Sequence, residues 1–385
     1  MGRLCKWLAL ILVMGIYVSC DENKSRDSKI KEEDSKEIVV EVNKNLITSH
    51  IIEHMIWEGS YPSRPMVLEG KSRFNKFRDH PAIKLSDSLL INEIFYFDEL
   101  TTFLLYIDDF PGVTFKYPLQ GTLYEAKQEL IEKWLALISE FYVDSQIENF
   151  IIDNQDYYNG CIKEVRKNLP PKDFVYQLES YYRTKRLSYT LVPSPEMQTG
   201  GEYGYRGIGP YIKQGDNFHI YNVISASQPV YTDSLKYQHK YGFDDSKNIT
   251  RMSYHEFGHA FVNPIFEEDS LMLQSAMESS HLLQGKYKEI MQNQNYGDWI
   301  TVVCEYLVRL GEIRLAERSG NEKWAADLRD YHIRQLNYVL LPELEMEILK
   351  FESSNEFDSF ADFLPNLLDV FKRFELQDIE HRISS

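Results

Sequence analysis

Apolar residues recur at helical spacing along most of this chain, and at β spacing in one central stretch and a short run before it. Residues 46–57, 85–110 and 123–185 follow an amphipathic helical pattern, clearest over 126–141 and Phe174–Tyr182. Pro111-Gly112 and Pro170-Pro171 punctuate them, and residues 60–80, polar with two prolines, read as irregular. Residues 38–42 alternate apolar and polar, the period of a short strand. The character changes at 187–192, 203–212 and 218–225, which have β-rich composition; Pro193, Pro195, Gly200-Gly201 and Gly215-Asp216 mark turns. Helical spacing then returns over 248–262, 299–318, 321–352 and 357–375. The pattern predicts an α+β protein. A helical N-terminal part (38–185) precedes a part (186–375) in which a short antiparallel or mixed sheet leads into helices, with a tail at 376–385.

The first 37 residues stand apart. Arg3 and Lys6 precede an apolar run over 7–18, too short to span a membrane with ease. The run ends at Tyr17-Val18-Ser19-Cys20, which resembles the lipobox of bacterial lipoproteins, with Tyr where Leu is usual. Residues 1–19 then form a signal peptide, and Cys20 carries the lipid that holds the protein to a membrane. Residues 20–37 are a tether, almost wholly polar after the Cys and unable to bury apolar surface. The acidic stretch after Cys20 resembles surface-export signals of Gram-negative lipoproteins, which points to the envelope, the outer membrane and its surface.

The chain has 385 residues and a net charge of −17. That balance argues against nucleic acid as a partner, because a phosphate backbone needs a basic surface. Beyond Cys20 the mature chain holds Cys161 and Cys304, too few for a disulfide framework. Cys304 reads as a small buried hydrophobe.

The chemistry concentrates in His255-Glu256-Phe257-Gly258-His259, an H-E-x-x-H sequence. Residues i and i+4 share one helix face, so both imidazoles point the same way and can bind one Zn²⁺. Glu256 is placed to act as general base on a water at the metal. Asn248 is the expected N-cap, and Asn263-Pro264 the expected stop, because a residue before Pro is pushed out of the helical region. A catalytic zinc needs a third protein ligand. Asn263-Pro264 excludes an H-x-x-G-x-x-H continuation, so the ligand comes from elsewhere. The choice is Glu305, in the helix over 299–318 that Asp298 caps and Gly320 ends; its bland role is a solvated partner of Arg309 at i+4. Glu278, His281 and Glu312 are its rivals. His50-Ile51-Ile52-Glu53-His54 matches the inverted H-x-x-E-H motif but reads as a surface helix without catalytic company. Tyr331 and His332 are placed by position as transition-state donors. Tyr203-Gly204-Tyr205 either lines a substrate cleft or packs.

These segments carry a resemblance. His80-Pro81-Ala82-Ile83, Gly200-Gly201 with Tyr203-Gly204, His255 through Pro264, and Glu305 with Arg309 resemble an uncharacterised family of bacterial envelope lipoproteins. That family is a domain of unknown function with metallopeptidase character, and the resemblance spans about 38–375. It implies a zincin-like fold of the gluzincin type but no substrate; Zn²⁺ as cofactor and a peptide or protein as substrate are the expectation of the H-E-x-x-H motif itself. The competing expectation is a surface lipoprotein that binds protein or glycan, with a structural metal or none.

Overall fold

The structure, a computed structural model, describes residues 36–57, 64–197, 206–226 and 241–383. Residues 1–35, which hold the expected signal peptide, Cys20 and most of the expected tether, lie outside the described residues, as do Gly200-Gly201 and Tyr203-Gly204-Tyr205. No described helix is long and apolar enough to cross a membrane.

Five strands form one mixed sheet: β1 (Ile38–Val40), β2 (Ser188–Ser194), β3 (Gly207–Ile208), β4 (Tyr211–Gln214) and β5 (Asn217–Ser225). The order is β1-β2-β5-β3, and β4 pairs with β5 on the side that β3 takes. β1, β2 and β5 run parallel; β3 and β4 return antiparallel. Gly209-Pro210 separates β3 from β4, because proline has no N–H to give the ladder.

The sheet is buried on both faces, as parallel strands usually are. Val192, Ile208, Ile212 and Val223 face a core built by the N-terminal helices. Tyr189, Phe218 and Ile220 face the larger core of the C-terminal helices. The N-terminal part begins with the helix Lys44–Ile56, capped by Asn43, whose side chain accepts from Asn45 N and Leu46 N. It is no surface helix, since every residue from Asn45 to Met55 is buried.

Three boundaries depart from the pattern. Residues 60–80 are not wholly irregular: Pro65–Phe74 is a helix, and Pro65 serves as its first residue, where a missing N–H costs nothing. The helix carrying His255 runs from Ser246 to Glu268. Its N-cap is Asp245, not Asn248, and it passes through Pro264. A proline inside a helix costs about 3 kcal/mol, but here the last turn is held by the sheet. Tyr211 bonds Glu267, Lys213 Nζ lies 2.6 Å from Glu268, and Pro264 and Phe266 are buried. The tail segment contains a helix, Leu376–Arg382, with Ile379 fully buried. Elsewhere the pattern holds: Phe174–Tyr182 and Trp299–Arg318 are helices with those bounds. The His80-Pro81 segment starts the helix Pro81–Ile91, with His80 Nδ1 accepting from Ala82 N at 3.1 Å.

Candidate metal centre

On the Ser246–Glu268 helix most of the residues around the motif are buried. The half-buried positions Asn248, Arg251, His255, His259 and Asn263 fall one turn apart and make a single accessible stripe. The helix Trp299–Arg318 crosses beside it. Gly258 permits this approach: a Cβ there would stand 3.2 Å from Val308 Cγ1, tighter than most real contacts. That explains the glycine inside the motif.

The crossing brings Glu305, buried to 4% exposure, up to the two imidazoles. His255 Nε2 and His259 Nε2 are 3.3 Å apart. Glu305 Oε1 is 3.4 Å from His259 Nε2, and Oε2 is 3.7 Å from His255 Nε2. A tetrahedral ion with ligand bonds of about 2.0–2.1 Å needs ligand atoms about 3.3–3.4 Å from one another. The three side chains therefore fit such an ion with adjustments of a few tenths of an ångström. Among the described residues this is the one group of three or more His, Cys, Asp or Glu side chains with metal-holding geometry.

The outer contacts orient these atoms. His255 Nδ1 donates to Glu312 Oε1 at 2.7 Å, which leaves the Nε2 lone pair facing inward. His259 Nδ1 donates to Asn263 Oδ1 at 3.2 Å, with the same result. Arg309 Nη2 lies 2.7 Å from Glu305 Oε2. Burial alone would raise the Glu305 carboxyl, but Arg309, His255 and His259 overcome it and hold the group far below the usual range. Burial likewise lowers His255. At His259 burial is outweighed by the Glu305 carboxylate, and the ring is pushed up to about 9. Glu312, fully buried, is held well below the carboxylate range against burial, by His332 and His255.

Glu256 shares the helix turn but is not one of the three converging groups. It is buried, and burial pushes its carboxyl up to about 8, with the charges of Glu305 and Asp98 acting the same way and His259 opposing. Its carboxylate lies against the sheet edge. A Cβ at Gly207 would collide with Glu256 Oε1 and Met252 Cε, and a Cβ at Gly209 with the Glu256 carbonyl. At Gly209 only glycine lets the chain lie this close to the Glu256 backbone, and at Gly207 a side chain would have to displace those of Glu256 and Met252.

The other sequence candidates fall elsewhere. Glu278, exposed, pairs with Lys372 at 2.8 Å. His281 lies 3.2 Å from the Phe374 carbonyl. Glu312 is a partner of His255 rather than a ligand. Tyr331 is 40% exposed. His332 is fully buried, with Nε2 3.3 Å from Glu312 Oε2. It therefore stands behind His255, on the Nδ1 side, and cannot donate to a substrate in front of Nε2. Sequence reasoning missed Tyr296, whose hydroxyl accepts from Arg309 Nη2 at 3.4 Å. Burial and then the Glu305 charge hold its phenol far above the usual value, and Glu256 adds to this, so it sits in the same field as both carboxylates. A left-handed Asn295 places it in the turn before Asp298, and nothing in the local pattern marks it. Glu305, Arg309 and Glu312 did have a signal: they form a polar i, i+4, i+7 row inside an apolar helix. Cys161 and Cys304 are buried free thiols in separate core clusters, and neither joins the centre.

A family model described as a domain of unknown function, DUF4932, matches residues 58–370. The chain belongs to the DUF4932 family. The DUF4932 match includes His255, Glu256, His259, Glu305, Arg309, Glu312 and Tyr296, and it begins beyond His50 and His54. Comparison with curated proteins and with solved structures gives no match.

Proposed function

We propose that the chain is a zinc-dependent peptide hydrolase of zincin-like, gluzincin-type architecture, carried at the bacterial envelope by a lipid on Cys20. The observation that carries this reading is the convergence of His255 Nε2, His259 Nε2 and the Glu305 carboxylate, 3.3–3.7 Å apart, one helix turn from a buried glutamate. The group has three members among the described residues, the ligand count of catalytic zinc sites rather than of closed four-ligand structural ones. This favours the enzyme over a binding lipoprotein with a structural metal.

His255, His259 and Glu305 would hold the ion. When bound, zinc would polarise the scissile carbonyl and acidify a water molecule. Glu256 takes the proton from that water and returns it to the leaving amine, a task suited to a carboxyl poised near neutrality. Glu312 fixes the His255 tautomer, and Arg309 keeps Glu305 ionised. Tyr296, whose hydroxyl accepts from Arg309, would donate to the oxygen of the tetrahedral adduct, the role expected from sequence of Tyr331 and His332. A peptide laid along the β3 edge would meet Glu256 across Gly207.

The test is Glu256→Gln in the zinc-loaded protein, followed by metal analysis and digestion of a peptide library. Zinc content and fold stay as in the wild type, and hydrolysis falls by roughly 10²–10⁴-fold. A fully active Gln variant would overturn the mechanism.

A further inference from the structure

The accessible stripe that holds the metal centre continues one turn beyond it, to a cation. Arg251 lies four residues before His255, on the same helix face, about 6 Å along the axis. It is half-buried, as His255 and His259 are. Its partners are neutral: Nη2 lies 3.2 Å from Asn248 Oδ1 and 3.2 Å from Met252 Sδ.

The other arginines around the centre are engaged by carboxylates. Arg309 binds Glu305, and Arg206 binds Glu53 and Asp98. Farther along the same helix, Arg314 binds Glu352. In a chain with 59 acidic residues and a net charge of −17, no described carboxylate comes within ion-pair distance of Arg251. Asn248 accepts from one end of the guanidinium and so steadies it, and no described carboxylate takes the remaining donors.

We propose that Arg251 is the substrate-anchoring residue of this site, and that it selects peptides bearing a carboxylate one or two residues from the scissile bond. The proposal rests on the peptidase reading of the centre. The distance follows from geometry: an extended peptide advances about 3.3–3.4 Å per residue, so 6 Å along the groove is one to two residues. A guanidinium binds a carboxylate through two parallel hydrogen bonds, which gives direction as well as charge. The carboxylate comes either from a Glu or Asp side chain or from the free C-terminus. The first makes the protein an endopeptidase with acidic preference, and the second makes it an enzyme that trims C-terminal ends.

The experiment uses the full zinc-loaded chain and a quenched-fluorescence peptide library. Its members come in pairs that differ only in Glu against Gln near the cleaved bond, or in a free against an amidated C-terminus. The expected result is a kcat/KM preference of roughly 10–100-fold for one carboxylate form, the range of a charge-assisted hydrogen bond. The pair that shows it identifies the source. Arg251→Gln removes the preference mainly through KM, Arg251→Lys keeps part of it, and Arg251→Glu favours Lys-containing peptides. A second readout is independent of turnover: anisotropy of the same labelled peptides on Glu256→Gln, with and without Arg251→Gln. If no peptide is cleaved but the Arg251-dependent carboxylate preference persists in binding, the peptidase reading fails and the anchor stands. If cleavage or binding shows equal preference with and without Arg251, or no carboxylate preference at all, the anchor is overturned.

Discussion

Two helices of this chain carry histidines four residues apart with a glutamate between them, and they do opposite things with them. On the helix Lys44–Ile56, His50 uses Nδ1 to reach Ser194 Oγ at 2.6 Å. His54 uses Nε2 to donate to the Glu196 carbonyl at 2.6 Å. The two rings engage different nitrogens with different partners, and both are buried to 1% exposure or less. Their glutamate, Glu53, is bound by Arg206. On the helix Ser246–Glu268, both rings spend Nδ1 on outer acceptors and present Nε2 to a shared point that Glu305 completes. The spacing i, i+4 places two imidazoles on one face in either case. What separates a pair with diverging partners from a converging pair is the element that packs against that face. Strand β2 presents the Ser194 hydroxyl and the turn after it the Glu196 carbonyl to the first pair, and the helix Trp299–Arg318 presents a carboxylate to the second.

The strongest way to break this comparison is to remove one member from each helix. His259→Ala and Glu305→Ala leave two ligands and lose stoichiometric zinc, read by metal analysis of the purified protein. His54→Ala leaves zinc in place. It instead lowers stability by about 1–3 kcal/mol, measured by denaturant unfolding, because the buried Glu196 carbonyl loses its donor. Loss of zinc from His54→Ala would mean that the buried pair also binds metal.

Next in size is the tyrosine that touches Arg309. Tyr296→Phe keeps zinc and lowers kcat by roughly 10²–10³-fold, the cost of one oxyanion donor. Tyr331→Phe, on the exposed π-helical turn Tyr331–Gln335, leaves kcat unchanged. The reverse outcome would restore the original assignment. A smaller effect comes from behind the pair. Glu312→Gln weakens zinc by roughly 10–100-fold in a competition assay with a chelator, because His255 loses a charged partner that fixes its tautomer.

How far the chain could be read by eye follows the same division. Elements ruled by local chemistry were legible. Asp298 caps Trp299–Arg318 because its carboxylate accepts from Thr301 N at 2.9 Å, and Gly320 ends it at φ +77. His255, Glu256 and His259 share one turn, so their spacing was enough to place them together, and the polar row on an apolar helix pointed to Glu305. Decisions made by distant contacts were not legible. Pro264 reads as a stop because nothing near it in sequence announces Tyr211 and Lys213. The His50 helix was expected at the surface because its burial depends on strand β2, 140 residues away. Tyr296 reaches the centre through a turn that has no period to read.

The finest distinction is electrostatic. Burial in the first cluster pushes the Glu196 carboxyl up from 4.5 to about 7, against a hydrogen bond from Tyr158, and holds His54 down at about 4. The signs oppose one another. Folded Glu196 keeps a proton that the unfolded chain has released, so its contribution is complete below about pH 4.5 and is lost as pH rises through 7. Folded His54 stays neutral where the unfolded ring is charged, so its contribution is complete above 6.5 and is lost as pH falls through 4. Glu196→Gln keeps an acceptor for Tyr158 and removes only the first titration. The variant therefore gains on the wild type as pH rises from 5 to 8, by at most about 3 kcal/mol for a shift of this size. It keeps the acid-side loss. Denaturant unfolding at pH 5, 6, 7 and 8 gives the two curves. Parallel curves would show that Glu196 stays ionised throughout, and the first cluster would then hold a buried charge, as the metal centre does at Glu305.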